Sequence, residues 1–216
     1  MPLPLKKIVV IGPESTGKSS LCEGLAAHYQ TSWVREYARE YLLTHGMNYS
    51  FEDLTTIAKG QLALEDEGAK RGLQKVGAGV GGEEAGAPAA ADSAGMGVAA
   101  AREFAAAGGG SGAGPILFID TDMYVMKVWS EFVFGRCESW ILDQIGKRQY
   151  DAYLLCKTDL PWVKDELREY PDLVSREKLY HIYRDILINQ STPWAEIGGQ
   201  EHQRLEAAIA AVETLL

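Results

Sequence analysis

The chain has 216 residues, with 21 Lys and Arg against 30 Asp and Glu and a formal charge of -9, a length that suits one domain with room for insertions. That acidic balance excludes a general binder of nucleic acid or of anionic membranes, which neutralise phosphates through clustered cations, so any anionic ligand has to be held locally. The three cysteines, Cys22, Cys137 and Cys156, form neither a CxxC pair nor an even set, the apolar start is too short for a signal-peptide core, and no stretch approaches the roughly 20 apolar residues of a membrane span; the expectation is a cytoplasmic protein in a reducing compartment.

Lys6-Lys7-Ile8-Val9-Val10-Ile11 is a β-branched apolar run that stops at Gly12, the pattern of a strand buried on both faces at the centre of a parallel sheet. Leu21, Cys22, Leu25 and Ala26 then recur at helical spacing over 19–29. Trp33-Val34 reads as a short second strand with Glu36 just past its end. Helical spacing returns over 36–43 and 51–69, with Ser50 a good N-cap and Asp53 only an approximate capping-box partner.

Between 77 and 114 the composition changes: 12 of the 23 glycines and 14 alanines fall there, with few large apolar residues. Such a stretch cannot bury enough surface to offset its ordering entropy, so it reads as a disordered insertion between the second and third strands, with 98–107 a short helix. A flexible linker between two domains is the alternative; because the next strand completes the same sheet, the expectation is a single domain over 1–216.

Ile116-Leu117-Phe118-Ile119 reads as a third buried strand ending in Asp120, and 152–156 as a fourth. A polar stretch over 161–171, a helix over 174–189, a short strand over 194–197 and an amphipathic helix over 202–216 complete the chain. The repeated βα order predicts an α/β fold with a parallel five-stranded sheet and helices on both faces.

Gly12-Pro13-Glu14-Ser15-Thr16-Gly17-Lys18-Ser19 matches GxxxxGK(S/T) between a strand and a helix, and this context makes it a P-loop. Glycines let the backbone wrap closely with its N–H groups turned inward on phosphate; Lys18 reaches the β- and γ-phosphates and the Ser19 hydroxyl coordinates magnesium, with Ser20 beside it on the helix. Gly12 to Ser20 are therefore the expected ATP-binding residues, and the fold class narrows to a P-loop NTPase of nucleoside- or nucleotide-kinase type.

Asp120 stands where a magnesium-holding carboxylate belongs, and Asp122 either shares that role or caps the helix over 123–134. Glu36, at the carboxyl end of the second strand, is the candidate base for an acceptor hydroxyl, against the alternative that Arg35, Glu36, Arg39 and Glu40 form exposed helix ion pairs. The segment from Trp162 to Arg176 suits a lid that brings Arg168 and Arg176 over the phosphoryl group. Tyr37, Tyr124 and Trp129, with Arg39 and Asp122, are candidate acceptor-binding residues, although aromatic residues at helical spacing more often pack in the core. No HxxH or HxGH pattern occurs among the four histidines, which removes metalloprotease and adenylyltransferase readings.

The P-loop together with Trp33-Val34-Arg35-Glu36-Tyr37-Ala38-Arg39-Glu40-Tyr41, Ile57-Ala58-Lys59-Gly60-Gln61, Glu65-Asp66-Glu67, Phe118-Ile119-Asp120-Thr121-Asp122 and Lys127-Val128-Trp129-Ser130-Glu131 resembles the ribosylnicotinamide kinase domain of bacterial NadR-type proteins, in a stand-alone form. The resemblance covers nearly the whole chain outside the insertion. It implies ATP-dependent, magnesium-assisted phosphorylation of nicotinamide riboside, a small nucleoside-like acceptor, to nicotinamide mononucleotide in NAD salvage; that neither nucleic acid nor membrane is a partner is the expectation from the acidic balance. The competing class is a nucleotide-dependent switch or partner-binding ATPase, which would have no need of the Glu36 carboxylate and its aromatic neighbours.

Overall fold

The computed structural model describes residues 3–77, 114–164, 166–167 and 169–216. The helix expected over 98–107 and the body of the 77–114 insertion lie outside these residues. Five strands, β1 (Lys6–Ile11), β2 (Trp33–Val34), β3 (Ile116–Asp120), β4 (Ala152–Cys156) and β5 (Trp194–Ile197), form one sheet in the order β2-β3-β1-β4-β5. Every recorded pairing is parallel.

β1 takes the centre because it has no polar face: Ile8, Val9, Val10 and Ile11 are all fully buried. Alternation sends Ile8 and Val10 to the face covered by α1 (Lys18–His28) and α7 (Glu201–Leu215), where they meet Leu25, Leu205 and Ala208. Val9 and Ile11 point to the opposite face, against Val125 and Val128 of α4 (Met123–Phe134) and Leu179, Tyr183 and Leu187 of α6 (Leu173–Ile188). Each such side chain contributes roughly 1.5–3 kcal/mol of transfer free energy. A third apolar cluster joins α2 (Tyr37–His45), α3 (Phe51–Gly77), α4 and α5 (Ser139–Lys147) through Leu54, Ile57, Met126 and Ile141.

Three boundaries differ from the sequence reading. α3 runs on to Gly77 because Lys70, Arg71, Leu73 and Gln74 are good helix formers and Gly72 lies close against Leu5. α5 has too short a periodic pattern to stand out, and it forms because Ile141 is fully buried against α4 while Lys59 of α3 stands over the Trp140 ring. The capping box at Ser50 is complete: Asp53 N–H donates to Ser50 Oγ at 3.2 Å and Ser50 N–H donates to Asp53 Oδ2 at 2.8 Å.

Because β1 lies between β3 and β4, chain connections leave its carboxyl end in opposite directions and open a crevice there. The loop between β1 and α1 occupies that crevice.

Candidate active site

Gly12 has φ of 145° and lies against β4, where a Cβ would sit 2.9 Å from the Cys156 carbonyl oxygen; no other residue type fits. Gly17 caps α1 in the left-handed conformation, φ 76°. Between them, the Thr16 hydroxyl donates to Pro13 O at 2.7 Å and Lys18 Nζ donates to the same oxygen at 3.0 Å. Lys18 thus lies across the loop beside the free N–H groups that open α1, an anion-binding arrangement.

Ser19, on the first turn of α1, donates from Oγ to Asp120 Oδ2 at 2.5 Å. Asp120 is fully buried, and its carboxyl is pushed up to about 6, first by burial and then by the charge of Glu36, with Lys18 and Ser19 opposing. The expected pair of a helix hydroxyl and a strand-end carboxylate is therefore assembled. Among the described residues no group of three His, Cys, Asp or Glu side chains forms a metal cage. A magnesium site takes one or two protein oxygens and fills its octahedron with water and phosphate, and the Ser19 hydroxyl and Asp120 carboxylate are oxygens of that kind. Ser19 and Asp120 fit it.

A cavity of about 1150 Å³ extends from the P-loop to the end of β2. Gly12, Pro13, Glu14, Ser15, Gly17, Lys18, Ser19 and Ser20 line it on one side, and Glu36, Arg39 and Trp129 on the other. Glu36 precedes the first turn of α2 with no capping bond from its side chain. Arg39 is exposed at the cavity rim, while Arg35 is spent on an exposed ion pair with Glu40 at 2.6 Å.

Other expected site residues are engaged elsewhere. Thr16 is fully buried within its own loop. Asp122 caps α4, accepting on Oδ1 from the Tyr124 and Val125 N–H groups at 2.9 and 3.2 Å and on Oδ2 from the Tyr153 hydroxyl at 2.9 Å. Burial pushes its carboxyl up to about 7. Tyr124 packs on Tyr153, with ring centroids 5.8 Å apart, and Tyr37 packs on Gly60, so neither lines the cavity.

Arg176 belongs to the first turn of α6 rather than to a mobile lid. It is 3% exposed, donates to the carbonyls of Ser15 and Leu160 at 3.3 and 3.1 Å and is thereby bonded to the P-loop, and it is not among the residues that line the cavity. Arg168 lies outside the described residues. The neighbouring segment does lie against the P-loop: Val163 N–H donates to Ser15 Oγ at 3.1 Å, and the N–H groups of Glu169 and Tyr170 donate to the Glu14 carboxylate.

Sequence reasoning missed Tyr49, Phe132, Tyr170 and Arg204. Trp129 donates from Nε1 to the Tyr49 hydroxyl at 2.9 Å, which donates to Glu169 at 2.8 Å, so α4 and the 161–171 segment are joined through a residue between α2 and α3. Phe132, Tyr170 and Arg204 line the cavity. Arg204 stands on the buried stripe of α7, and a cation at such a position was the available signal.

A β1–loop–α1 phosphate cradle, a strand-end carboxylate and a parallel sheet ordered β2-β3-β1-β4-β5 define a P-loop fold of the nucleoside- and nucleotide-kinase type. The chain belongs to the AAA domain family, which matches residues 7–80 and 81–204. It is similar to the trifunctional NAD biosynthesis/regulator protein NadR of Escherichia coli, at 22% identity over 205 residues, 93% of this chain and 40% of that protein. The NadR of Salmonella typhimurium is 24% identical over 190 residues, 86% of this chain and 36% of that protein. The chain thus spans about two fifths of these curated relatives. Among solved structures, a NadR protein in complex with NR superposes with a TM-score of 0.59 at 18% identity, covering 97% of this chain and 50% of that one. A NadR protein in complex with NAD and AMP-PNP gives 0.58 at 19% identity, covering 97% and 49%. The thymidylate kinase of Ehrlichia chaffeensis gives 0.54 at 10% identity, covering 99% of this chain and 100% of that one. The match to both kinds of protein places this chain in the P-loop kinase fold and beside the kinase-type domain of NadR.

Proposed function

We propose that residues 1–216 act as one phosphotransferase domain that moves the γ-phosphoryl group of ATP to the 5′-hydroxyl of nicotinamide riboside, giving nicotinamide mononucleotide and ADP. The observation that carries this reading is a cavity that joins Lys18 and Ser19 of the P-loop to Glu36 and the Trp129 ring. Similarity to NadR proteins, one of them solved with NR and another with AMP-PNP, supports the choice of acceptor and donor.

In this reaction the P-loop N–H groups and Lys18 hold the triphosphate. Ser19 and Asp120 hold magnesium, which when bound neutralises charge on the β- and γ-phosphates. Glu36 accepts the proton of the 5′-hydroxyl as its oxygen bonds to the γ-phosphorus and the bond to the bridging oxygen breaks. Glu14, Glu36, Glu40 and Glu169 line the cavity with Trp129, Phe132 and Tyr170, surroundings that suit a cationic pyridinium. A cytoplasmic place in NAD salvage goes with this chemistry.

A switch or partner-binding ATPase is the other reading, and it gives the acceptor-side carboxylate no task. The deciding experiment is a panel of nucleosides incubated with ATP and magnesium, read by ADP release and product mass. Riboside-dependent release with a product heavier by one phosphoryl group supports the kinase. Release that no nucleoside stimulates overturns it.

A further inference from the structure

Gln61 is 1% exposed on α3, on a buried stripe with Leu54, Ile57, Ala58, Leu62 and Glu65. A primary amide in such a place is costly to bury unless its polar atoms are satisfied. Here they are, and every partner is backbone at the site. Oε1 accepts from the Tyr37 N–H at 2.7 Å, while Nε2 donates to Asp120 O at 3.2 Å and to Arg35 O at 3.4 Å. The orientation of the amide follows from its partners, since an N–H can only donate and a carbonyl can only accept.

These bonds grip the chain on both sides of Glu36. Tyr37 opens α2, whose first N–H groups have no intrahelical acceptor, and the residue before it supplies no side-chain cap. Gln61 supplies that acceptor from another helix. Arg35, on the other side, is one residue beyond β2, an edge strand held to β3 through Trp33 and Val34 alone. Glu36 therefore stands past the end of the sheet ladder. The third bond goes to the carbonyl of Asp120, whose carboxylate receives the Ser19 hydroxyl. One side chain thus ties the backbone of Glu36 to the strand end that bears Asp120, and Gln61 itself does not line the cavity.

We propose that Gln61 is a positioning residue that sets the Glu36 carboxylate relative to Asp120 and the P-loop. For its effect on turnover the proposal rests on the phosphotransferase reading, with Glu36 as base. Displacement of a catalytic group by about 1 Å can cost on the order of 10²-fold in rate, which sets the expected scale.

The test uses Gln61→Met, which keeps length and apolar fit but removes all three bonds. Gln61→Glu retains the acceptor for Tyr37 N–H and loses both donations; it serves the same comparison should the methionine variant be insoluble. Riboside-dependent ADP release should fall roughly 10- to 100-fold in kcat while KM for ATP stays unchanged. In a Glu36→Gln background the same substitution should cost nothing further. A loss that adds in full to that of Glu36→Gln, an equal loss of ATP affinity, or unchanged turnover overturns the proposal. Crystal structures of the native and Gln61→Met proteins decide it without activity: Glu36 should move away from Asp120, and an unmoved Glu36 overturns the proposal. Failure of the native protein to respond to riboside would instead refute the phosphotransferase reading, leaving those structures to judge the positioning.

Discussion

Replacing Asp122 with asparagine separates a helix cap from a ligand of substrate or metal. Asp122 is 1% exposed, and burial raises its carboxyl from 3.8 to about 7. Because the folded value lies above the unfolded one, the group contributes stability that is fully present below pH 4 and is lost as pH rises through 7. At about 1.4 kcal/mol per pH unit, the rise corresponds to at most about 4 kcal/mol between those limits. Asparagine has the shape of the protonated carboxyl, keeps an oxygen for the Tyr124 and Val125 N–H groups, turns an N–H towards the Tyr153 oxygen in place of accepting from its hydroxyl, and cannot ionise. Asp122→Asn should therefore match the native protein near pH 4 and exceed it increasingly towards pH 8. For a chain of this size, 1 kcal/mol moves Tm by about 2–4 °C, so the gain at pH 8 is about 10 °C. Thermal unfolding followed by circular dichroism at several pH values, in magnesium-free buffer, measures it. Parallel curves for the two proteins, or a less stable variant at pH 8, would refute the reasoning. Riboside phosphorylation by the variant should stay close to native, and its abolition would restore the ligand role.

Lys18→Ala should abolish phosphoryl transfer and leave circular dichroism and Tm close to native, because the charge it neutralises arrives with the nucleotide; normal turnover in the folded variant would refute this. Glu36→Gln should keep ATP affinity, measured by isothermal titration, yet lower kcat about 10²- to 10⁴-fold, and full riboside stimulation surviving in the variant would rule out Glu36 as the base. Gly12→Ala should cost on the order of 1–3 kcal/mol for its φ of 145°, with more for the 2.9 Å approach to the Cys156 carbonyl, and an unchanged Tm would contradict the fit described for the loop.

The sheet was legible because its information is local. Ile8 to Ile11 has no polar face, and β3 and β4 are equally apolar, so each had to lie inside with helices on both sides. The P-loop was legible because its glycines answer to backbone geometry, and the observed φ values at Gly12 and Gly17 are those the motif requires. Tyr37 and Tyr124 could not be assigned in this way. Both follow a strand end and both are aromatic, yet whether such a ring faces a cavity or a neighbouring helix depends on Gly60 in one case and Tyr153 in the other, residues remote in sequence. Arg176 shows the same limit, since its carbonyl partners are at Ser15 and Leu160. Gln61 did leave a local trace, a polar side chain on a largely apolar helical stripe. Its partners, 24, 26 and 59 residues away, left none.

Net charge is a poor guide to how the cavity works. Exposed charges beyond about 8 Å are largely screened at physiological salt, so a total of -9 says little about the potential at one loop. At the P-loop the relevant charges are Lys18, the free N–H groups opening α1 and the buried Asp120, all within a few ångströms of one another. Across the cavity Glu36 and Arg39 stand with the paired Arg35 and Glu40, and Glu169 lines it from the 161–171 segment. In the proposed reaction these two halves have opposite tasks. One holds a polyanion by dipoles, a lysine and a divalent cation, while the other removes a proton from a hydroxyl borne by a cationic nucleoside. A uniformly basic cleft would serve the first and defeat the second, because a surrounding positive potential would weaken both the pyridinium's binding and the basicity of Glu36.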